Sequence, residues 1–106
     1  MLIDVEGKNF KSEVFKNANL TFVCFSAVWC GPCQLLHPIL ESLSDELDGE
    51  IDFYAVDADE APDICSYYDM TAVPTVIAFK ECVEVDRFTG LKNENEVRDF
   101  IAKCKM

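Results

Sequence analysis

Along this chain, apolar residues occur either in short unbroken runs or at spacings of three and four, and the two patterns take turns. Unbroken runs suit strands buried on both faces, whereas the wider spacing marks one stripe of a helix. A short strand is predicted near Leu2–Val5, then a helix around Asn9–Lys16 with Phe10, Val14 and Phe15 turned inward. Leu20–Ser26 is nearly continuous in apolar residues and reads as a central strand. From Pro32 to about Leu47, the residues Leu35, Leu36, Ile39, Leu40, Leu43 and Leu47 are assigned to one helical stripe. Pro38 interrupts that stripe and predicts a kink rather than an end. Ile51–Val56 reads as another strand, and Ala61–Tyr68 as a short helix or irregular segment introduced by Pro62. Thr75–Phe79 and Val83–Phe88 predict an antiparallel hairpin that turns near Glu81 and Cys82. A last helix begins at about Asn93, with Val97, Phe100, Ile101 and Cys104 on one face. The order β-α-β-α-β-α-β-β-α predicts an α/β fold, a mixed sheet with helices on both faces.

Composition narrows the function classes. The chain has 106 residues, half of them apolar, and no repeat, low-complexity tract or linker divides it. One domain over residues 1–106 is therefore expected, with enough apolar surface for one sizeable core. Twenty acidic residues against nine Lys and Arg give a formal charge of −11. Such a surface repels phosphate backbones and anionic membranes, so nucleic acid and membrane are not expected partners. The opening Met1-Leu2-Ile3-Asp4-Val5-Glu6 lacks the pattern of a targeting peptide, and the run from Leu20 to Trp29 is about half a membrane span. A cytoplasmic location is expected.

Six cysteines in so short a chain raise the question of a disulfide scaffold. Two features oppose it: the periodic elements can build a core without cross-links, and only Cys30 and Cys33 are closely spaced. A structural zinc site needs a second close pair, yet Cys24, Cys65, Cys82 and Cys104 are scattered singly, so no metal is expected. Cys30 and Cys33 fall between a buried strand and the start of a long helix. Two intervening residues permit a closable disulfide, and the helix start supplies unpaired N–H groups and a positive dipole end that stabilise a thiolate. Lowering a thiol pKa from ~8.5 to ~7 requires about 2 kcal/mol, within reach of such a setting. Pro32 tolerates the first helical turn, and Gly31 leaves the approach to Cys30 open.

The pentapeptide Trp29-Cys30-Gly31-Pro32-Cys33 resembles the active-site signature of the thioredoxin family, and the resemblance extends over nearly the whole chain. Pro38 matches the family's helix kink, Val73-Pro74-Thr75 its cis-proline segment, and Gly90 the glycine after its last strand. The resemblance implies the thioredoxin fold, with a central five-stranded mixed sheet flanked by four helices. It also implies a protein-disulfide reductase in which Cys30 attacks a target disulfide and Cys33 resolves the mixed disulfide. Trp29, Gly31, Pro32, Val73, Pro74 and Gly90 would bind the target, with the Val73 backbone pairing to it as an added strand. No cofactor beyond the Cys30–Cys33 disulfide is implied. The expected partners are disulfide-bearing target proteins and a thioredoxin reductase of unspecified type, and the chain itself is expected to be monomeric.

Several positions depart from the family pattern. Cys24 stands where a buried aspartate is common and Ala55 where its lysine partner is common, so both charges are lost together. Either alone would be an unpaired buried ion. Cys24 reads as a small core hydrophobe, with a weak proton relay to Cys33 as the alternative. Gln34 replaces a frequent lysine, and Cys82 replaces a frequent turn glycine, implying a different turn and an exposed thiol. Cys82 is read as a spectator, with an intermolecular disulfide as the other option; Cys104 belongs to the core, and Cys65 carries no assignment. Asp59 is a candidate acceptor for the Trp29 indole, the alternative being a solvated loop carboxylate. His37 reads as a surface residue rather than a catalytic partner, and Asp45, Glu46, Asp48 and Glu50 as a solvated helix end. A binding module without turnover and an oxidase or isomerase of the same fold are the competing readings.

Overall fold

A computed structural model describes residues 2–16 and 19–106. Among them run β1 (Ile3–Asp4), α1 (Phe10–Val14), β2 (Thr21–Ser26), α2 (Gly31–Glu46), β3 (Asp52–Asp57), α3 (Pro62–Tyr67), β4 (Thr75–Lys80), β5 (Val83–Thr89) and α4 (Glu94–Lys105). The five strands form one sheet in the order β1-β3-β2-β4-β5. β1 and β2 run parallel to β3, while β2 pairs antiparallel with β4 and β4 with β5. The α/β class, the mixed five-stranded sheet and its four helices are as expected from the sequence.

Alternation along the strands builds two cores. Phe22 and Cys24 of β2 face one side, where they join Leu36, Leu40 and Leu43 of α2 and Val97, Phe100, Ile101 and Cys104 of α4. Val23 and Phe25 face the other side and join Phe10 and Val14 of α1, with Ile64 and Cys65 of α3 packed against them. β2 is thus covered on both faces, which accounts for its unbroken apolar run.

Three predicted details change. Leu35 is 61% exposed, while Leu36 is fully buried. Adjacent residues on a helix point about 100° apart, so only one of the two can share the stripe of Leu40 and Leu43. The first helix is shorter than predicted: a 3-10 turn at Gly7–Asn9 precedes the α-helical Phe10–Val14, and Phe15 is its C-cap, half-buried against the core. β1 is limited to Ile3–Asp4, although Leu2 and Val5 flanking it are buried.

The remaining elements follow local chemistry. Pro38 lies inside α2 without ending it. The ambiguous segment after Pro62 is helical, with Pro62 in its first turn, where a missing N–H costs nothing. α4 opens with a capping box in which Asn93 accepts from the Glu96 N–H and Glu96 accepts from the Asn93 N–H. The hairpin turns through Glu81 and Cys82 at φ of 52° and 68°, a left-handed pair that matches the twist of the flanking strands but strains side-chain-bearing residues.

Burial sets an expectation for the neighbouring leucines. Leu36→Ala should lower unfolding stability by about 2–5 kcal/mol, whereas Leu35→Ala should change it by less than about 0.5 kcal/mol. Denaturant titration of both variants checks the assignment.

Candidate redox site

The site grows from the junction between β2 and α2. After β2 the chain turns through Ala27, whose carbonyl accepts the Cys30 N–H at 3.1 Å. Cys30 then sits at the N-cap of α2, with extended backbone, and its Sγ accepts the Cys33 N–H at 3.2 Å. One of the helix's unpaired amide donors is thereby directed at sulfur. Cys30 and Cys33 are joined as a disulfide, their Cα atoms 5.3 Å apart. Both are buried, at 4% and 5% exposure.

Around the pair, the structure places most of the expected residues. Trp29 is 69% exposed, and its indole Nε1 donates to Asp59 Oδ2 at 2.7 Å. Asp59 is itself placed by Asp57, whose carboxylate accepts the Asp59 N–H at 3.0 Å and caps the 3-10 turn after β3. Of the two readings for Asp59, the indole acceptor is the one observed. Gly31 would meet no atom within 4 Å if it carried a Cβ, so the space beside it is open, and Pro32 occupies the first turn of α2.

The Val73–Pro74 bond is cis, and Val73 packs against the small cluster formed by Ala27, Cys30 and Cys33. Gly90 has φ of +94° and donates its N–H to the Pro74 carbonyl at 2.8 Å. That bond ties the end of β5 to the start of β4. Trp29, Val73, Pro74 and Gly90 thus belong to segments connected to the disulfide or to one another. Cys24 is buried in the core under α2 and α4. Burial pushes its thiol up to about 12, so it stays protonated.

Other cysteines sort by place. Cys104 is in the same core, and burial raises its thiol to about 11. Cys65 is half-buried, donates weakly to the Ala58 carbonyl, and has its thiol raised chiefly by burial. Cys82 is exposed at the hairpin. His37 is exposed and lies 3.9 Å from Glu41. Among the described residues, no group of three or more His, Cys, Asp and Glu is placed to hold a metal ion.

Sequence reasoning missed two features. Asp57 orients the Trp29 acceptor, and the signal was present as an aspartate two residues before Asp59, the spacing of a local Asx turn. The second is a cleft of about 940 Å³ beside Cys33, lined also by Asp4, Ala55 and His37.

A small disulfide at a helix N-terminus, joined to a strand end and faced by a cis-proline segment, is a dithiol–disulfide redox site. The thioredoxin family model matches residues 1–103. The chain is 37% identical over 103 residues to the thioredoxin of Rickettsia felis, covering 97% of this chain and 98% of that one. It is 37% identical over 98 residues to the mitochondrial thioredoxin of Mus musculus, covering 92% of this chain and 59% of that longer protein. With the thioredoxin of Staphylococcus saprophyticus it shares 32% identity over 102 residues, 96% of each. The chain belongs to the thioredoxin family, whose members are protein disulfide oxidoreductases that work without a cofactor. Its Cys30–Cys33 pair fits the Trp-Cys-Gly-Pro-Cys site.

The buried thiols make stability depend on alkaline pH. Below the ordinary thiol value of 9.0, Cys24 keeps its proton folded and unfolded; between there and about 12 only the unfolded chain loses it. Stability should therefore fall as pH rises through that window, by about 1.4 kcal/mol per pH unit for one thiol. Cys24→Val should cost less than about 1.5 kcal/mol at neutral pH and make the alkaline decline shallower. Unfolding curves of both proteins from pH 7 to the onset of alkaline unfolding test this.

Proposed function

We propose that this chain reduces disulfides in target proteins by dithiol exchange, with Cys30 as nucleophile and Cys33 as resolving thiol. The observation that carries the assignment is the Cys33 N–H directed at Cys30 Sγ at 3.2 Å. An amide donor at a helix start favours the charged form of the group it faces, so in the reduced protein Cys30 is the sulfur held as thiolate. Cys30 thiolate attacks one sulfur of the target disulfide; the second target sulfur leaves as a thiolate and takes up a proton. Cys33, deprotonated, then attacks Cys30 Sγ and displaces the first target sulfur. Two electrons pass to the target, and the Cys30–Cys33 disulfide remains.

An extended target segment lies along Trp29, Gly31, Pro32, Val73, Pro74 and Gly90, with its backbone paired to Val73. This reading is supported by the exposure of Trp29 and by the packing of Val73 against the cluster of Ala27, Cys30 and Cys33. A separate thioredoxin reductase returns the disulfide to the dithiol. The net charge of −11 favours protein partners over nucleic acid or membrane surfaces, and the protein acts as a cytoplasmic monomer through the disulfide pair alone.

Reduction of a model protein disulfide, followed by the precipitation of its released chains, tests the roles. Cys30→Ser should abolish turnover. Cys33→Ser should instead accumulate a mixed disulfide with the target, separable on a non-reducing gel. Full activity of Cys30→Ser would overturn the assignment.

A further inference from the structure

The resolving step proposed above requires that the Cys33 thiol lose its proton before it attacks, and the sheet beneath it offers no buried base. Asp4 of β1 is in register with Ala55 of β3, and Ala55 with Cys24 of β2. Laterally paired residues share a face, so these three form one row across the sheet, on the side covered by α2. The inner member, Cys24, is buried and keeps its own proton. The middle member, Ala55, has no polar atom and only a methyl group to fill its place. The outer member, Asp4, is exposed at the sheet edge.

Two members of that row, Asp4 and Ala55, line a cleft of about 940 Å³ together with Cys33 and His37. A water molecule occupies about 30 Å³ of liquid, so the cleft is ample for solvent. We propose that this cleft is the proton exit of the resolving cysteine: it is wide enough for a small neutral base the size of imidazole to enter past Ala55 and take the Cys33 proton directly. The thiolate so formed attacks Cys30 Sγ, the Cys30–target S–S bond breaks, and the target thiolate is protonated by solvent. Electrons and protons balance without any buried acceptor.

The charges around the cleft set which bases can enter. Its titratable lining comprises Asp4, Glu6 and Lys8 from the first segment, His37 from α2, Asp57 from β3 and Glu60 from the turn after it, with Cys24 buried beside Ala55. Lys8 is already paired with Glu6 at 3.4 Å. Four carboxylates against one lysine and one histidine make the entrance acidic, favouring a neutral base over an anionic one.

The test uses reduced protein in a Cys82→Ser background, with dithiobis(nitrobenzoate) limiting. One coloured thiolate is released when Cys30 attacks and a second when Cys33 resolves, so the two steps are separate phases. At fixed pH and ionic strength, the second phase should accelerate with imidazole concentration and respond far less to hydrogen phosphate, a base of similar strength. Ala55→Leu, which projects a side chain into the cleft, should slow the second phase by about tenfold and remove the imidazole response. The first phase should be unchanged. A wild-type second phase indifferent to imidazole, or equally responsive to both bases, overturns the exit even if the variant fails to fold; so does an imidazole response that survives Ala55→Leu. A missing second phase would overturn the resolving role of Cys33 itself, and the exit with it.

Discussion

A helix that starts just beyond a buried strand leaves backbone N–H groups without carbonyl partners, and here the group answering one of them is the sulfur of Cys30. The rest of the site depends on that hydrogen bond. It fixes Cys30 at the cap and sets Cys33 one helical turn along, close enough for the two sulfurs to bond. The cap holds its position because β2 is sandwiched between two apolar clusters and so cannot slide without exposing one of them. The Ala27 carbonyl and the Trp29–Asp59 bond then secure the chain on either side of the turn. Core packing far from the sulfurs is therefore what positions them.

The same packing explains why two charges can be absent together. Cys24 and Ala55 are register partners on adjacent strands, facing the core under α2. Restoring only the aspartate, or only the lysine, would place an ion beside a nonpolar neighbour, with a penalty of several kcal/mol. Their joint replacement by a thiol and a methyl avoids that penalty and leaves room beside Cys33. The nearest carboxylate in the row is shifted to Asp4, on the edge strand, where water solvates it.

How far these features are legible in the sequence depends on how local their causes are. β2 is legible because burial on both faces writes an unbroken apolar run, and the α4 face because its spacing is regular over the whole helix. Trp29 to Cys33 is contiguous, so the strand–helix junction and the disulfide could be placed together. Leu35 shows the limit of a spacing rule, which accepts either of two adjacent leucines, while the helix turns only Leu36 inward. The first helix reads too long at its C-terminal end because Phe15 continues the apolar spacing of Phe10 and Val14, although it is the C-cap. The cleft is illegible for a different reason: its walls come from distant parts of the chain, with Asp4 of β1 and Ala55 of β3 brought beside Cys33 and His37 of α2.

Six cysteines in one small protein pose a selectivity problem that geometry resolves without any special chemistry at four of them. Cys24 and Cys104 lie in the core beneath α2 and α4, where a thiolate would lose its hydration; at Cys104 burial outweighs the pull of the Lys103 charge, and both protons are held tightly. Cys65 is half-covered and sits near the negative charge of Asp59, which opposes ionisation in the same direction as burial. Cys82 is accessible but stands at a hairpin turn rather than at a helix start. Only Cys30 combines a helix N-cap with an amide donor on its sulfur, and only Cys33 lies within bonding reach of it. A chain can therefore carry many thiols and one redox centre, provided that ionisation is favoured at a single position and closure is possible to a single neighbour.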